Sequence, residues 1–296
     1  MEWTGEPGIG EHAFLSDCGT AALLDPYGTI DWLCVPDFDS PPLLWSLLDR
    51  DRGGSWSMHV EDAVPTRLTY AADTLVAETL WEGPGCRLLS QDLLAVRPDG
   101  EGLRPIGVLV RFLTCLEGRA RIRSTFRAGP DLGRARAEWT AVEDGALRLR
   151  EGVLLSGGTA PVLDGEGDPA YRVGLAAGES TSLVLDHSRG DRQYGVEEAR
   201  TLLEDSRRAW RDWASRTSYE GEGPSTCGIP PWCCAGSCTR RAEGWSPRPR
   251  PRFRNGPADP GTGTTATSGT AMRPWSCCPS SGSDTPTRPV PTCGTC

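Results

Sequence analysis

Aliphatic side chains all but stop at about residue 220, and nothing else in the sequence limits the fold so strongly. Residues 221–296 contain no Leu and, among Ile, Val and Phe, only Ile229, Val290 and Phe253. They hold 13 of the 25 Pro and eight of the 12 Cys. Ordering a backbone costs roughly 1–2 kcal/mol per residue, which a segment with so little apolar surface to bury does not offset. Residues 220–296 are therefore expected to be a tail without a fold, and any core must come from the residues before them.

Charge divides at the same place. The tail carries eight Arg against Glu222, Glu243, Asp259 and Asp284, a balance of +4; with −9 for the whole chain, the body is −9 − 4 = −13. An acidic body argues against a nucleic-acid partner, because phosphate neutralisation needs a basic face. The chain has no Lys, which removes P-loop, Schiff-base and lysine-base chemistry. The Gly5–Gly10 segment is not expected to cradle a phosphate, and no cofactor is implied. Residues 1–14 lack the basic and apolar regions of a signal peptide. No apolar run approaches the roughly 20 residues a bilayer span needs. A cytoplasmic chain with no membrane partner is expected, its four widely spaced body cysteines (Cys18, Cys34, Cys86, Cys115) buried free thiols.

Within the body, Thr20–Leu24 and Ile30–Cys34 flank Asp25-Pro-Tyr-Gly28, a turn by composition, and read as a β-hairpin. Pro36, Pro41 and Pro42 enforce an irregular loop around Asp37, Phe38, Asp39 and Ser40, with a short helix expected from Pro42 to Leu48. Strand-like segments follow at 67–70, 75–81, 86–96, 106–116, 119–127, 139–143, 146–155, 170–176 and 180–187, separated by Gly-, Pro- and Asp-rich breaks. Such spacing predicts an antiparallel β-sandwich over residues 1–192, with Trp32, Leu33, Leu75, Leu109, Val110 and Val184 in its core. The register then changes: Val196, Ala199, Leu202, Leu203, Ala209, Trp210 and Trp213 recur at helical spacing. A linker helix is expected within 193–219, its apolar face packed on the sandwich or on whatever follows.

The run Ile9-Gly-Glu-His-Ala-Phe-Leu-Ser-Asp-Cys-Gly-Thr and the run Tyr27-Gly-Thr-Ile-Asp-Trp-Leu-Cys-Val-Pro-Asp-Phe-Asp-Ser-Pro41 resemble the amino-terminal domain of prokaryotic family 15 glycoside hydrolases, the glucoamylase, glucodextranase and trehalase group. Asp73–Leu80, Leu109–Phe112, Phe126–Gly133 and the Trp210-x-x-Trp213 helix extend the resemblance over residues 9–219. One departure is Asp37, where family members often carry a basic residue. The resemblance implies a non-catalytic β-domain, followed in intact relatives by an (α/α)6 barrel that holds the catalytic glutamates. That barrel would be the intramolecular partner of the Trp210/Trp213 helix, and its loss would leave an apolar stripe exposed. The α-glucan or trehalose substrate would belong to the intact enzyme.

The tail carries a trace of that barrel. When its codons are displaced so that the last base of each joins the first two of the next, Pro260–Trp275 can spell RNWDYRYxWNRDAAL, and Gly244–Asn255 can give LVAAPTTSLPE. The first resembles the substrate-binding motif at the start of the family's barrel and the second another segment of the family, in order and in one frame, so the tail reads as frame-shifted from between about Glu220 and Gly228. The tail cysteines (Cys227, Cys233, Cys234, Cys238, Cys277, Cys278, Cys293, Cys296) could be offered as zinc ligands, but no His accompanies them and their spacing matches no paired knuckle. Asp37 and Asp39 form a carboxylate pair beside Trp32 and Phe38. Inverting glycosidases hold two carboxylates about 6.5–9.5 Å apart, yet a Pro-bounded loop more often uses Asp to cap local N–H groups. These four residues are candidates for substrate-side or domain-interface contact. No catalytic, cofactor or metal residue is assigned. The alternative is a stand-alone β-sandwich that binds carbohydrate or protein, which a row of exposed aromatics on one sheet face would favour.

Overall fold

The computed structural model describes residues 7–150 and 152–216. The expected lack of fold over 220–296, the frame shift and the tail cysteines all fall outside the described residues. In chain order the strands are β1 (Ala13–Ser16), β2 (Ala21–Leu24), β3 (Ile30–Cys34), β4 (Pro42–Leu44), β5 (Ser55–Val60), β6 (Val64–Tyr70), β7 (Ala77–Gly83), β8 (Cys86–Asp99) and β9 (Gly102–Arg127). They continue as β10 (Trp139–Ala141), β11 (Leu147–Leu149), β12 (Leu154–Gly157), β13 (Val162–Leu163), β14 (Pro169–Ala176) and β15 (Ser180–Asp186), and one long helix, Val196–Ala214, follows.

All pairings among these strands are antiparallel, as the sequence predicts, and they build two sheets that share one strand. Sheet I runs β1-β2-β3-β5-β9-β14-β13, with β4 beside β3. Sheet II runs β6-β7-β8-β9-β15-β12-β11-β10. Strand β9 serves both: Val108–Thr114 pairs with β15, and Arg119–Thr125 pairs with β14. It turns between the sheets at Gly118, whose φ is +70° and where a Cβ would stand 2.1 Å from the Gly85 carbonyl oxygen. Only glycine fits both constraints. The segments expected separately at 106–116 and 119–127 are therefore one strand.

The main core fills the space between the sheets, with Leu15, Leu24, Ile30, Trp56, Ile122 and Phe126 from sheet I against Trp81, Leu88, Leu109, Leu113, Leu155 and Leu183 from sheet II. Leu33 and Leu109 sit there as expected. Val110 and Val184 lie on the opposite face of sheet II, beneath the helix, and Leu75 lies against Trp210. Trp32 does not join the core. Ala22 pairs with Leu33 and Leu24 with Ile30, so the bulge leaves Asp31 unpaired and lets Ile30 and Leu33 both point inward. Trp32, opposite Leu23, is left half-buried on the outer side.

The short helix expected from Pro42 to Leu48 is not there. Pro42 and Leu44 pair with Cys34 and Leu33, and the Leu43 carbonyl accepts from Gly129 N–H at 2.9 Å. Pairing with distant strands outweighs the weak local preference. The span 146–155, expected as one strand, is two, separated by a turn in which Gly152 N–H donates to the Leu149 carbonyl at 2.9 Å.

The helix packs on the outer face of sheet II. Ala199 and Leu203 cover Val76, Leu93, Val108, Val110 and Phe112, while Ala209 and Trp210 cover Leu75, Val96 and Leu103. Ser206, buried in mid-helix, accepts the Val96 N–H at 3.1 Å, a donor left over where β8 bulges between Leu94 and Val96. The apolar stripe expected to be exposed is thus covered by the domain's own sheet: Trp210 is 1% exposed, and Trp213 stands edge-on to it at 6.2 Å.

Candidate functional site

The loop that carries Asp37, Phe38 and Asp39 closes between β3 and β4, where Cys34 pairs with Pro42. Asp37 N–H donates to Ser40 Oγ at 3.1 Å, and Ser40 N–H returns a bond to the Asp37 carbonyl at 3.1 Å. Phe38 N–H donates to the Gly19 carbonyl at 3.1 Å, tying the loop to the β1–β2 turn. Phe38 is half-buried between two exposed aspartates. The structure thus groups Asp37, Phe38 and Asp39 on one presented loop, with Trp32 at the base of the same hairpin.

Under that loop lies Asp17, which is fully buried. Its Oδ1 accepts from Gly19 N–H at 3.0 Å and Thr20 N–H at 2.8 Å, while Oδ2 has no partner among the described residues. Burial, opposed by those bonds and reinforced by the charge of Asp37, pushes its carboxyl up to about 6.

Three further charged sites escape a linear reading. Arg111 on β9, with no exposure, places Nε 2.7 Å from Asp92 Oδ1 and donates to the carbonyls of Trp56 at 3.0 Å and Gly28 at 2.6 Å. Ser90 Oγ donates to the other Asp92 oxygen at 2.7 Å. The pair is satisfied, and it clamps the β2–β3 turn and β5 to sheet II. Gly28 is required there: its φ is +83°, and a Cβ would stand 2.5 Å from the Trp81 ring. His12 Nε2 lies 2.9 Å from Asp31 Oδ2, and Nδ1 lies 3.0 Å from the Gly8 carbonyl oxygen. His187, just after β15, is buried with no partner for either ring nitrogen among the described residues, and burial pulls it down to about 4.

The three histidines stay apart: His12 is paired with Asp31, His59 is exposed and His187 is buried. Among the described residues no group of three or more His, Cys, Asp or Glu could hold a metal ion. Cys34, Cys86 and Cys115 are free, buried thiols, and Cys18 is half-buried. The described residues include two concave sites. One is a groove of about 470 Å³ lined by His12, Pro26, Pro65, Arg67 and Tyr70; the other, about 220 Å³, is lined by Ser156, Ala160, Gln193 and Tyr194. Neither takes in the Asp37–Asp39 loop. The sequence signal for the buried pair was available: Arg111 and Asp92 are single charges set in apolar runs, a pattern that calls for a partner.

Comparison with known proteins matches residues 3–208 to the family described as "Trehalase-like, N-terminal". A trehalase of Mycolicibacterium smegmatis is 27% identical over 239 residues, covering 70% of this chain and 34% of the relative. A trehalase of Mycobacterium tuberculosis is 30% identical over 146 residues, covering 45% of this chain and 22% of the relative. A trehalase of Thermoplasma acidophilum is 25% identical over 201 residues, covering 66% and 34%. The chain spans about a third or less of the length of these relatives.

Proposed function

The chain belongs to the family of trehalase-like N-terminal domains, and from this we propose that it is the non-catalytic β-domain of an α-glucoside hydrolase of the glucoamylase and trehalase group, without activity of its own. One observation carries the reading: the matched residues 3–208 take in every described strand and most of the helix Val196–Ala214, while most of each relative's length lies beyond the match. A hydrolase of this kind needs an acid and a base held across a pocket that positions the sugar. The Asp37–Asp39 loop is exposed and lies outside these two concave sites, which suits an interface with a following domain better than it suits chemistry. The natural occupant of that interface is the (α/α)6 barrel, and the intact enzyme would act on trehalose or an α-glucan.

The displaced-frame strings RNWDYRYxWNRDAAL and LVAAPTTSLPE support a tail shifted out of the barrel's frame. No helix among the described residues is long and apolar enough to cross a membrane, and a cytoplasmic enzyme remains the location we propose. The alternative, a stand-alone sugar-binding sandwich, would be favoured by a row of exposed rings. The large apolar residues exposed among the described ones are all aliphatic, Leu48 and Ile9 the most exposed.

The test restores the displaced frame from about codon 220, extends the chain to the relatives' length and assays glucose release. Release from trehalose or maltodextrin by the restored chain supports the proposal. A restored chain that folds, melts cooperatively and releases no glucose from either contradicts it.

A further inference from the structure

The outer face of sheet I holds an array of cations within a body of net charge −13. Arg119, Arg121 and Arg123 alternate along β9 with the buried Ala120, Ile122 and Ser124, so all three point outward. Across the strands Arg123 stands directly opposite Arg172 of β14 on one side and His59 of β5 on the other, all exposed. Like charges placed directly opposite destabilise a sheet. Among the described residues the array's ion pair is an exposed one: Glu61 Oε2, 3.4 Å from Arg121 Nη1. Arg127, next along the same strand, is engaged by its own chain, donating to the carbonyls of Arg50 and Asp51. Among the described residues no carboxylate is recorded against Arg119, Arg123 or Arg172.

We propose that this face is a docking surface for a short acidic segment of another protein. Outward residues on a strand recur at roughly 6.5–7 Å, and neighbouring strands lie about 4.8 Å apart. An extended segment with Glu or Asp at every second position presents carboxylates at the same pitch, and each guanidinium can take one in a two-point bond. The size of the partner follows from the charge around the patch. At physiological salt a charge feels its surroundings over about 8 Å, so a segment no longer than the array meets the arginines, with Glu61 the carboxylate set beside them. A long polyanion would also run over the acidic remainder of the body. Exposed rings, on which single-stranded nucleic acid stacks, are absent among the described residues. Val162 and Leu163 of β13, paired to β14 at one edge, are exposed beside the array, too little apolar surface to anchor in a bilayer interface.

The experiment measures anisotropy of a fluorescent peptide of alternating Glu and Thr, titrated with the full chain at low and physiological salt. Binding that weakens with salt is expected, and the double variant Arg123→Ser, Arg172→Ser should weaken it roughly tenfold while leaving the melting transition in place. Glu61→Gln, which frees Arg121, should tighten it. Because the tail is also basic, Arg248→Ser with Arg250→Ser and Arg252→Ser is the matched control, expected to leave binding unchanged. Binding insensitive to the Arg123/Arg172 change, or lost in the tail control, overturns the proposal. So does tighter binding of an oligothymidylate or of phosphatidylserine vesicles through the same arginines, which would assign the face to nucleic acid or membrane.

Discussion

The two outer faces of the sandwich are opposites, and one strand contributes to both. In its first half β9 is buried on both sides: Val108 through Leu113, Arg111 included, are at most 2% exposed, because the inter-sheet core covers one face and the helix the other. In its second half exposed arginines alternate with Ala120, Ile122 and Ser124, because nothing described covers the outer face. A continuous apolar run and a strict alternation are the two sequence forms of a strand buried on two sides and on one. The contrast shows that the helix is a structural layer of this domain as much as a connection to whatever follows.

The largest effects should come from uncovering sheet II. Trp210→Ala removes a side chain 1% exposed, and a loss of roughly 3–5 kcal/mol is expected in denaturant unfolding. Arg111→Met leaves Asp92 charged and buried and should cost a similar amount, roughly 3–5 kcal/mol. The double change Arg111→Met, Asp92→Leu should recover much of that, because it leaves no unpaired charge. A double variant as unstable as the sum of the singles would show that the clamp on Gly28 and Trp56, rather than the pair itself, holds the sheets together.

Acid should act on the two sheets with opposite sign. Asp17, in the β1–β2 turn of sheet I, has its folded pKa raised from 3.8 to about 6. Between those values the folded state binds more protons than the unfolded, so this group adds stability as pH falls from about 6 toward 4. His187, at the end of β15 in sheet II, is lowered from 6.5 to about 4. There the unfolded state takes the proton first, so stability is lost as pH falls from about 6.5 to 4. Each shift corresponds to about 3 kcal/mol in order of magnitude. Relative to the parent chain, Asp17→Asn should therefore lose stability on going from pH 6.5 to 4, and His187→Leu should gain it. Stability curves for the three proteins at a series of pH values decide the matter, and parallel curves would contradict both assignments. The smallest effect belongs to the exposed face of sheet I: Arg123→Thr, which relieves a like-charge row, should raise stability by about 0.5 kcal/mol at low salt, and less as salt rises.

Much of this architecture is legible in the residues. The β2–β3 hairpin follows from Asp25-Pro-Tyr-Gly28, the halves of β9 from their patterns, and the helix from its apolar spacing, because each depends on neighbours in sequence. What is not legible depends on distant partners. Pro42–Leu44 is a strand because β3 and Gly129 bind it. Trp32 leaves the core because a bulge at Asp31 changes the inward count, and β5 is a strand beyond those the spacing predicts, with Trp56, Met58 and Val60 alternating inward. The functional candidates show the same division. The loop around Asp37 could be read from its prolines, but its tie to Gly19 and its place above Asp17 could not. Nor could the arginine array, because Arg172 meets Arg123 only through the pairing of β14 with β9.

We propose that this β-domain performs no hydrolysis by itself. Glucose release from trehalose by the chain as it stands, followed over many hours at high protein concentration, tests it most directly. The account predicts release no faster than in a protein-free blank. Steady turnover that disappears in Asp37→Asn or Asp39→Asn would contradict it and place the chemistry on the β3–β4 loop.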